Sequence, residues 1–521
     1  MSLYAWTRLA AVAGLCFIVS RVWAWYRLRH IKGPPAAAWT SLWLVYKTRS
    51  GQLFYDLASI CNQYGMLHTS CCVPLRISCP TARYRANQAT PTGPIARIAP
   101  NIVVCGDAGE VRRMWGVRSQ FDRALWYKGF QLDPPRDCTL SIRDNDAHAV
   151  LRSKLVPGYS GKDVPGLHKS VDRGVARFIR LIEDKYLSSH SVYRPVDLAR
   201  KFQYMTLDII SSIAFGEPFG FMDEDDDKFG YIQTTEDTVP MMQMFAIVPW
   251  LVALLQSPIC KAMMPSETDT VGLGPIMAIA KRIVGERYGP AAIERRDMLG
   301  SFVSHGLDQR DAESESLVQI LAGSDTTATA LRTIVVNVVT NRRIFTHLQR
   351  EIDDGIAGGL ISSPIAEAEA RKLPFLQACI KEGFRIWPPI TGIMPRISAT
   401  DATLCGVHIP SGTNVAWSAK AVLHSTDVFG SDADIYWPDR WLTADRERLQ
   451  VMENTVDLCF GQGRWGCLGR SIALLELNKI IVELLRRFDF SIVNAERPIK
   501  NAFTGVLIQS QLYMRVSRRP G

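Results

Sequence analysis

Zinc-type cysteine spacing is missing from this chain. Of its twelve cysteines, the adjacent pair Cys71-Cys72 has neither the two-residue gap nor the histidine partners a zinc site needs. The cysteines follow no regular disulfide framework either, so reduced thiols in a cytosol-facing protein fit best. Net charge is +9, yet no run of Lys and Arg tracks an aromatic stripe, which argues against a nucleic-acid partner. There is no glycine-rich dinucleotide fingerprint, and no flavin- or nucleotide-binding domain. Internal repeats are absent, and after the first 40 residues no Gly/Ser/Pro linker divides the 521 residues.

Composition is that of a globular protein, 47% apolar and 21% charged. The N-terminus stands apart. Leu9 to Ser20 carries no charge, and Leu3 to Tyr26 is apolar apart from Arg8 and Arg21. A membrane-spanning helix needs about 20 apolar residues. Arg8 and Arg21 can snorkel, and Trp6, Trp23, Trp25 and Tyr26 suit the two interfaces. Arg27, Arg29, His30 and Lys32 follow, favouring a cytoplasmic body. Residues 1–32 are thus expected to form a transmembrane anchor with a basic flank, 33–40 a stiff Pro-rich hinge, and 41–521 the main body. A cleaved signal peptide is the alternative, but no clear small-x-small cleavage site precedes the basic cluster.

Three stretches carry chemistry. Phe460-Gly461-Gln462-Gly463-Arg464-Trp465-Gly466-Cys467-Leu468-Gly469 sets one cysteine in a glycine-rich loop ahead of an apolar helical run. Glycines let backbone N–H donors approach a thiolate closely, as an axial ligand of haem iron requires. A buried structural cysteine is the blander alternative. From about Ala312 to Thr340 runs the longest helical pattern, interrupted in propensity by Ala322-Gly323-Ser324-Asp325-Thr326-Thr327. Small Ala322 and Gly323 permit close approach of a flat cofactor, and Asp325 with Thr326 makes an acid–alcohol pair able to pass protons. A threonine back-bonded to a carbonyl, kinking the helix, is the structural alternative. Third, Glu382 and Arg385 lie on one face of a helix ended by Pro388-Pro389.

Together these resemble the cytochrome P450 haem-thiolate monooxygenases: F-x-x-G-x-R-x-C-x-G at the cysteine, A-G-x-D-T-T in the long helix, and E-x-x-R. The resemblance runs over nearly the whole chain. It implies a mostly α fold with a small β-rich part, one large catalytic domain, and haem b bound through Cys467, with Phe460 and Gly461 in the cofactor loop. One position departs: Trp465 stands where the family has an arginine pairing with a haem propionate, and Arg464 is one place earlier. His148 and Arg152, four apart, resemble the family's W-x-x-x-R propionate clamp with His for Trp, a fungal variant; Arg396 matches another propionate position. Arg440, in Trp437-Pro438-Asp439-Arg440-Trp441, matches the second arginine of a structural triad with Glu382 and Arg385. Ile390 to Ile393 is expected to line the substrate cavity. Gly406 to Thr413 reads as a β-hairpin.

The resemblance further implies electrons from NADPH-cytochrome P450 reductase, with cytochrome b5 as an optional second donor, and oxidation of an apolar small molecule at the endoplasmic reticulum membrane. Fungal members of the pisatin-demethylase-like group, many of which tailor terpenoids and polyketides, are the nearest in pattern. A reductase-independent isomerase or dehydratase is a rival, which Asp325-Thr326 opposes; an inactive haem protein is another. Met66 to Thr92 fits neither helix nor strand, and interrupts a join between Tyr64-Gly65 and Gly93-Pro94-Ile95 typical of the family. It reads as an insertion or a retained intron.

Overall fold

The computed structural model describes residues 3–64, 94–131, 136–257, 260 and 266–519. The suspected insertion at 66–92 lies outside the described residues. The fold is mostly helical with small sheets, as expected. The helices that build the site are α1 (Leu3–Arg27), α2 (Pro35–Trp39), α3 (Ala108–Trp115), α4 (Asn145–Tyr159), α5 (Leu198–Phe215), α6 (Tyr231–Ala246), α7 (Gln309–Thr340), α8 (Pro374–Ile386) and α9 (Arg470–Leu485).

The long pattern read from Ala312 becomes α7, begun by Asp308, whose carboxylate accepts from the Asp311 N–H at 3.0 Å. Its residues from Thr327 to Val336 are buried without a break. A helix buried on all sides belongs in a core, and α7 lies there, packed against α5, α8 and α9. α5 is itself buried at nearly every position from Leu198 to Phe215. α8 opens on Pro374, whose missing N–H and fixed φ suit a first turn.

Beside the helices lies a five-stranded sheet: β1 (Ile95–Ala99), β2 (Ile102–Cys105), β3 (Phe121–Arg123), β4 (Arg396–Ser398) and, after the two-stranded hairpin β5 (Ala402–Leu404) and β6 (Val407–Ile409), β7 (Asn414–Trp417). Its order is β1-β2-β7-β4-β3, with β2–β7 parallel and the other pairs antiparallel. The hairpin sits earlier than the sequence suggests. Val407–Ile409 pairs backward onto Ala402–Leu404 around Cys405-Gly406, while 410–413 leads into β7. The turn is at Cys405-Gly406, where both residues take positive φ, 48° and 74°.

The N-terminal reading needs correction. α1 forms, with Leu15, Phe17, Ile18 and Val19 exposed on successive faces. Yet among the described residues no helix is long and apolar enough to cross a membrane. The charge-free stretch Leu9 to Ser20 rises only about 18 Å, against a hydrocarbon core of about 30 Å. α2 is folded onto β1, with Trp39 stacked on Trp25 at 5.8 Å and the Arg97 N–H bonded to the Lys32 carbonyl at 2.8 Å. Arg97, buried, donates to the carbonyls of Ala24 (2.9 Å), Ala38 (3.2 Å) and Pro100 (2.6 Å), tying the end of α1 to the sheet.

Candidate active site

The cysteine loop closes on itself. The Cys467 N–H donates to the Phe460 carbonyl at 2.7 Å, and Gly461 and Gly463 take φ of 68° and 65°. A Cβ on Gly463 would sit 2.6 Å from the Trp115 carbonyl oxygen at the end of α3, so only glycine allows this approach. Cys467 stands just ahead of α9, whose first N–H groups and macrodipole favour negative charge. Burial raises the Cys467 thiol above its ordinary range; the Gly469 and Arg470 N–H groups and the charges of Arg152 and Arg470 act against that shift. The thiol lines a cavity of about 280 Å³ with Arg112, Arg152, Asp457, Phe460 and Arg470. Phe460 packs on Phe384 at 4.8 Å.

A second cluster adjoins the loop. The His148 ring of α4 lies 4.0 Å from the Trp465 ring, and the Arg123 guanidinium stands 4.1 Å over the Trp465 ring and 4.6 Å over Tyr127. Arg396 donates to the Tyr127 hydroxyl. His148, Arg123, Arg396 and Trp465 are all buried. Among the described residues no carboxylate ion-pairs with Arg123 or Arg396; Arg123 spends Nη1 on the carbonyls of Thr139, Leu140 and Ile142. His148 Nε2, Arg123 Nε, Arg396 Nε, Trp126 Nε1 and Trp465 Nε1 are buried with no hydrogen-bond partner. Burial and the charges of Arg396 and Arg152 pull Arg123 down to about 9, and burial with the charges of Arg123, Arg152 and Arg464 pulls His148 down to about 3. Buried cations and orphaned donors are costly unless an anion meets them. Two carboxylates, such as the propionates of a haem beside Cys467, are the group this donor set fits.

Arg123 was not visible in the sequence. Its only local sign is the aromatic pair Trp126-Tyr127 that follows. Two further arginines near the loop bind backbone carbonyls. Arg464 points away, donating to the Val117 carbonyl at 2.7 Å and lying 4.0 Å from Asp122, part-exposed. Arg152 donates to the Gly466 carbonyl at 2.7 Å, so it braces the cysteine loop. Arg396 and His148 do join the cluster.

In α7 the turn at Ala322 is exposed although its helix is buried on either side, so a void faces it. At Gly323 a Cβ would meet Ile210 of α5 at 2.9 Å, so the glycine lets α7 and α5 pack closely. Thr326 Oγ1 donates back to the Ala322 carbonyl at 2.7 Å. Asp325 turns the other way and accepts from Gln203 Nε2 of α5, so no hydrogen bond joins the acid to the alcohol. Burial pushes Asp325 up to about 7, with Arg332 opposing and Glu236 adding to the shift. In the segment expected to line the cavity, Ile393 joins a core cluster and the Thr391 hydroxyl is buried without a partner.

Glu382 sits fully buried at the centre of five donors: Arg385 Nε (2.9 Å) and Nη2 (2.7 Å), Arg440 Nε (3.1 Å), Trp441 Nε1 (2.9 Å) and the Trp437 N–H (2.8 Å). The three residues read as a triad are thus brought together.

Residues 101–515 match the family Cytochrome P450. Similar curated proteins include "Cytochrome P450 monooxygenase ABA1" of Pyricularia oryzae, 37% identical over 98% of this chain and 96% of that protein. Another is "Cytochrome P450 monooxygenase aba1" of Botryotinia fuckeliana, 33% identical over 95% of this chain and 92% of its own length. A third is "Cytochrome P450 monooxygenase abl1" of Leptosphaeria maculans, 32% identical over 96% and 85%. With that likeness spread along the whole catalytic body, the chain belongs to the cytochrome P450 family, oxygenase enzymes whose haem iron is ligated by a cysteine.

Proposed function

We propose that this enzyme is a fungal monooxygenase of secondary metabolism that oxidises an apolar small molecule, with haem b held by Cys467. The observation that carries this is the pairing of a glycine-loop thiol at a helix N-terminus with two buried, carboxylate-free guanidiniums beside it. When bound, the haem supplies reductive activation of O₂, placing one oxygen atom in the substrate and one in water. The protein's share is positional. Gly469 and Arg470 N–H groups and the start of α9 temper the thiolate. Arg123, Arg396, His148 and Trp465 hold the propionates. Thr326 and Asp325 hold and pass protons, the acid balanced near neutral pH where relay is efficient.

Arg112, Arg152 and Arg470 at the cavity beside Cys467 support docking of an acidic electron donor, NADPH-cytochrome P450 reductase with cytochrome b5 as a second source. The exposed apolar faces of α1, followed by Arg27, Arg29 and Lys32, support attachment to the endoplasmic reticulum membrane with the body in the cytosol.

The test is spectroscopic, then kinetic. The reduced, carbon monoxide-bound holoprotein should show the long-wavelength Soret band of a thiolate-ligated haem, lost in Cys467→Ser; a haem-replete protein without that band refutes the reading. Product formation that needs reductase and NADPH separates a monooxygenase from an isomerase or dehydratase.

A further inference from the structure

Asp325 is the end of a hydrogen-bond chain whose direction is fixed. Its Oδ1 accepts from Gln203 Nε2. The other end of the amide, Gln203 Oε1, accepts from Arg332 Nη2 at 2.8 Å, and Arg332 also donates through Nε and Nη2 to the Ala199 carbonyl at 2.9 and 2.6 Å. Gln203 and Arg332 are both buried. A guanidinium has donors only. Arg332 therefore decides which end of the amide faces it, and the N–H end is left for Asp325. Against an N–H donor, Oδ1 must be a bare acceptor in either protonation state.

We propose that Gln203 is a positioning residue for proton delivery: with its amide polarity set by Arg332, it pins Oδ1 of Asp325 and leaves Oδ2 as the atom that takes up and releases the relayed proton. The proposal rests on the relay reading above and gives it an atom. The groups around this carboxylate come from three helices. α7 brings Arg332, and α5 brings Arg200, paired at 3.3 Å with Glu236 of α6. α6 also brings Tyr231, a buried phenol that feels the Asp325 charge. Asp197 acts on Arg332, and Asp227 on Tyr231 and Glu236. Ser324 is not available to the acid, since its hydroxyl donates to the Ile320 carbonyl at 2.8 Å. Arg332 favours the ionised carboxylate and Glu236 the neutral one.

Infrared difference spectroscopy of the holoprotein across pH tests this. The Asp325 carboxyl band is the one that disappears in Asp325→Asn. In Gln203→Met, which keeps the length but removes the donor, that band should move to higher frequency, because its C=O loses a hydrogen bond, and its midpoint should rise by about one pH unit. Peroxide released per NADPH consumed should rise with it. Gln203→Asn keeps an amide for Arg332 but is one methylene too short to hold Asp325 as well; the same upward shift is expected there, so a fold defect in the methionine variant does not decide the matter. A band unchanged in frequency and midpoint in the variants that fold overturns the proposal while leaving Asp325 as relay. Absence of any titrating band lost in Asp325→Asn overturns the relay reading itself, and the assignment of Oδ2 with it.

Discussion

Arg123 and Arg396 face each other directly across the antiparallel pair β3–β4. Like charges placed opposite on neighbouring strands repel, and here both are buried and, among the described residues, without a carboxylate partner. The sheet thus presents two opposed guanidiniums to one pair of negative charges. Arg123→Met should therefore release haem roughly ten- to a hundredfold faster, corresponding to about 1.5–3 kcal/mol for a buried charge-assisted hydrogen bond. Haem transfer to apomyoglobin measures it. Adding Trp465→Arg in that background should recover part of the loss by returning a guanidinium from the cysteine loop; a release rate unaltered in Arg123→Met would mean that Arg123 only packs.

Glu382→Ala strands two buried guanidiniums and two further donors at once. Removing one member of such a buried network costs about 3–5 kcal/mol, a large share of a domain's total stability. Thermal unfolding should show a large fall in Tm, or no folded protein at all, with any surviving fraction keeping the same haem spectrum.

Asp325 gives a pH signature. Its folded-state pKa, pushed up to about 7, lies above the unfolded value of about 3.9. The folded protein thus holds more protons than the unfolded chain between those values, and stability falls as pH rises from about 4 to 7, then levels off. Asp325→Asn should flatten that part of the curve. The comparison is between the two proteins, because Glu315, also pushed up to about 7 by burial, contributes the same slope to both. Denaturant midpoints at pH 5 and pH 8 suffice.

Gly323→Ala separates packing from cofactor approach. The new Cβ would press on Ile210, itself buried, and overpacking of this kind costs about 1–3 kcal/mol. Ile210→Ala should relieve it. If the glycine instead served the cofactor, the second substitution would restore nothing, and haem content would fall with stability unchanged.

What could be read from the sequence was chemistry confined to one segment. Cys467 and its glycines, Glu382 with Arg385, and the small residues of α7 are neighbours along the chain, so spacing alone places them on one loop or one helical face. Arg123 could not be read this way. It meets Arg396 across more than 270 positions, and only the register of β3 on β4 brings them together. The same limit explains Gly323: a helical pattern reports that a small residue is there, not which neighbour has come close to it. Arg464 shows the same limit, since a one-residue shift in a tight loop turns a side chain to another side, here toward Val117.

Arg97 has a last consequence. By binding the carbonyls of Ala24 and Ala38 as well as Pro100, it welds the end of α1 and the segment after it to the sheet. A body on a loose tether samples many attitudes toward whatever surface holds the tether; this one has its attitude written into the protein. Under the membrane attachment proposed above, α1 settled in a lipid layer would hold the body at one angle, with the same rim toward the lipid in every molecule. The attitude of the whole body would then rest on a single guanidinium.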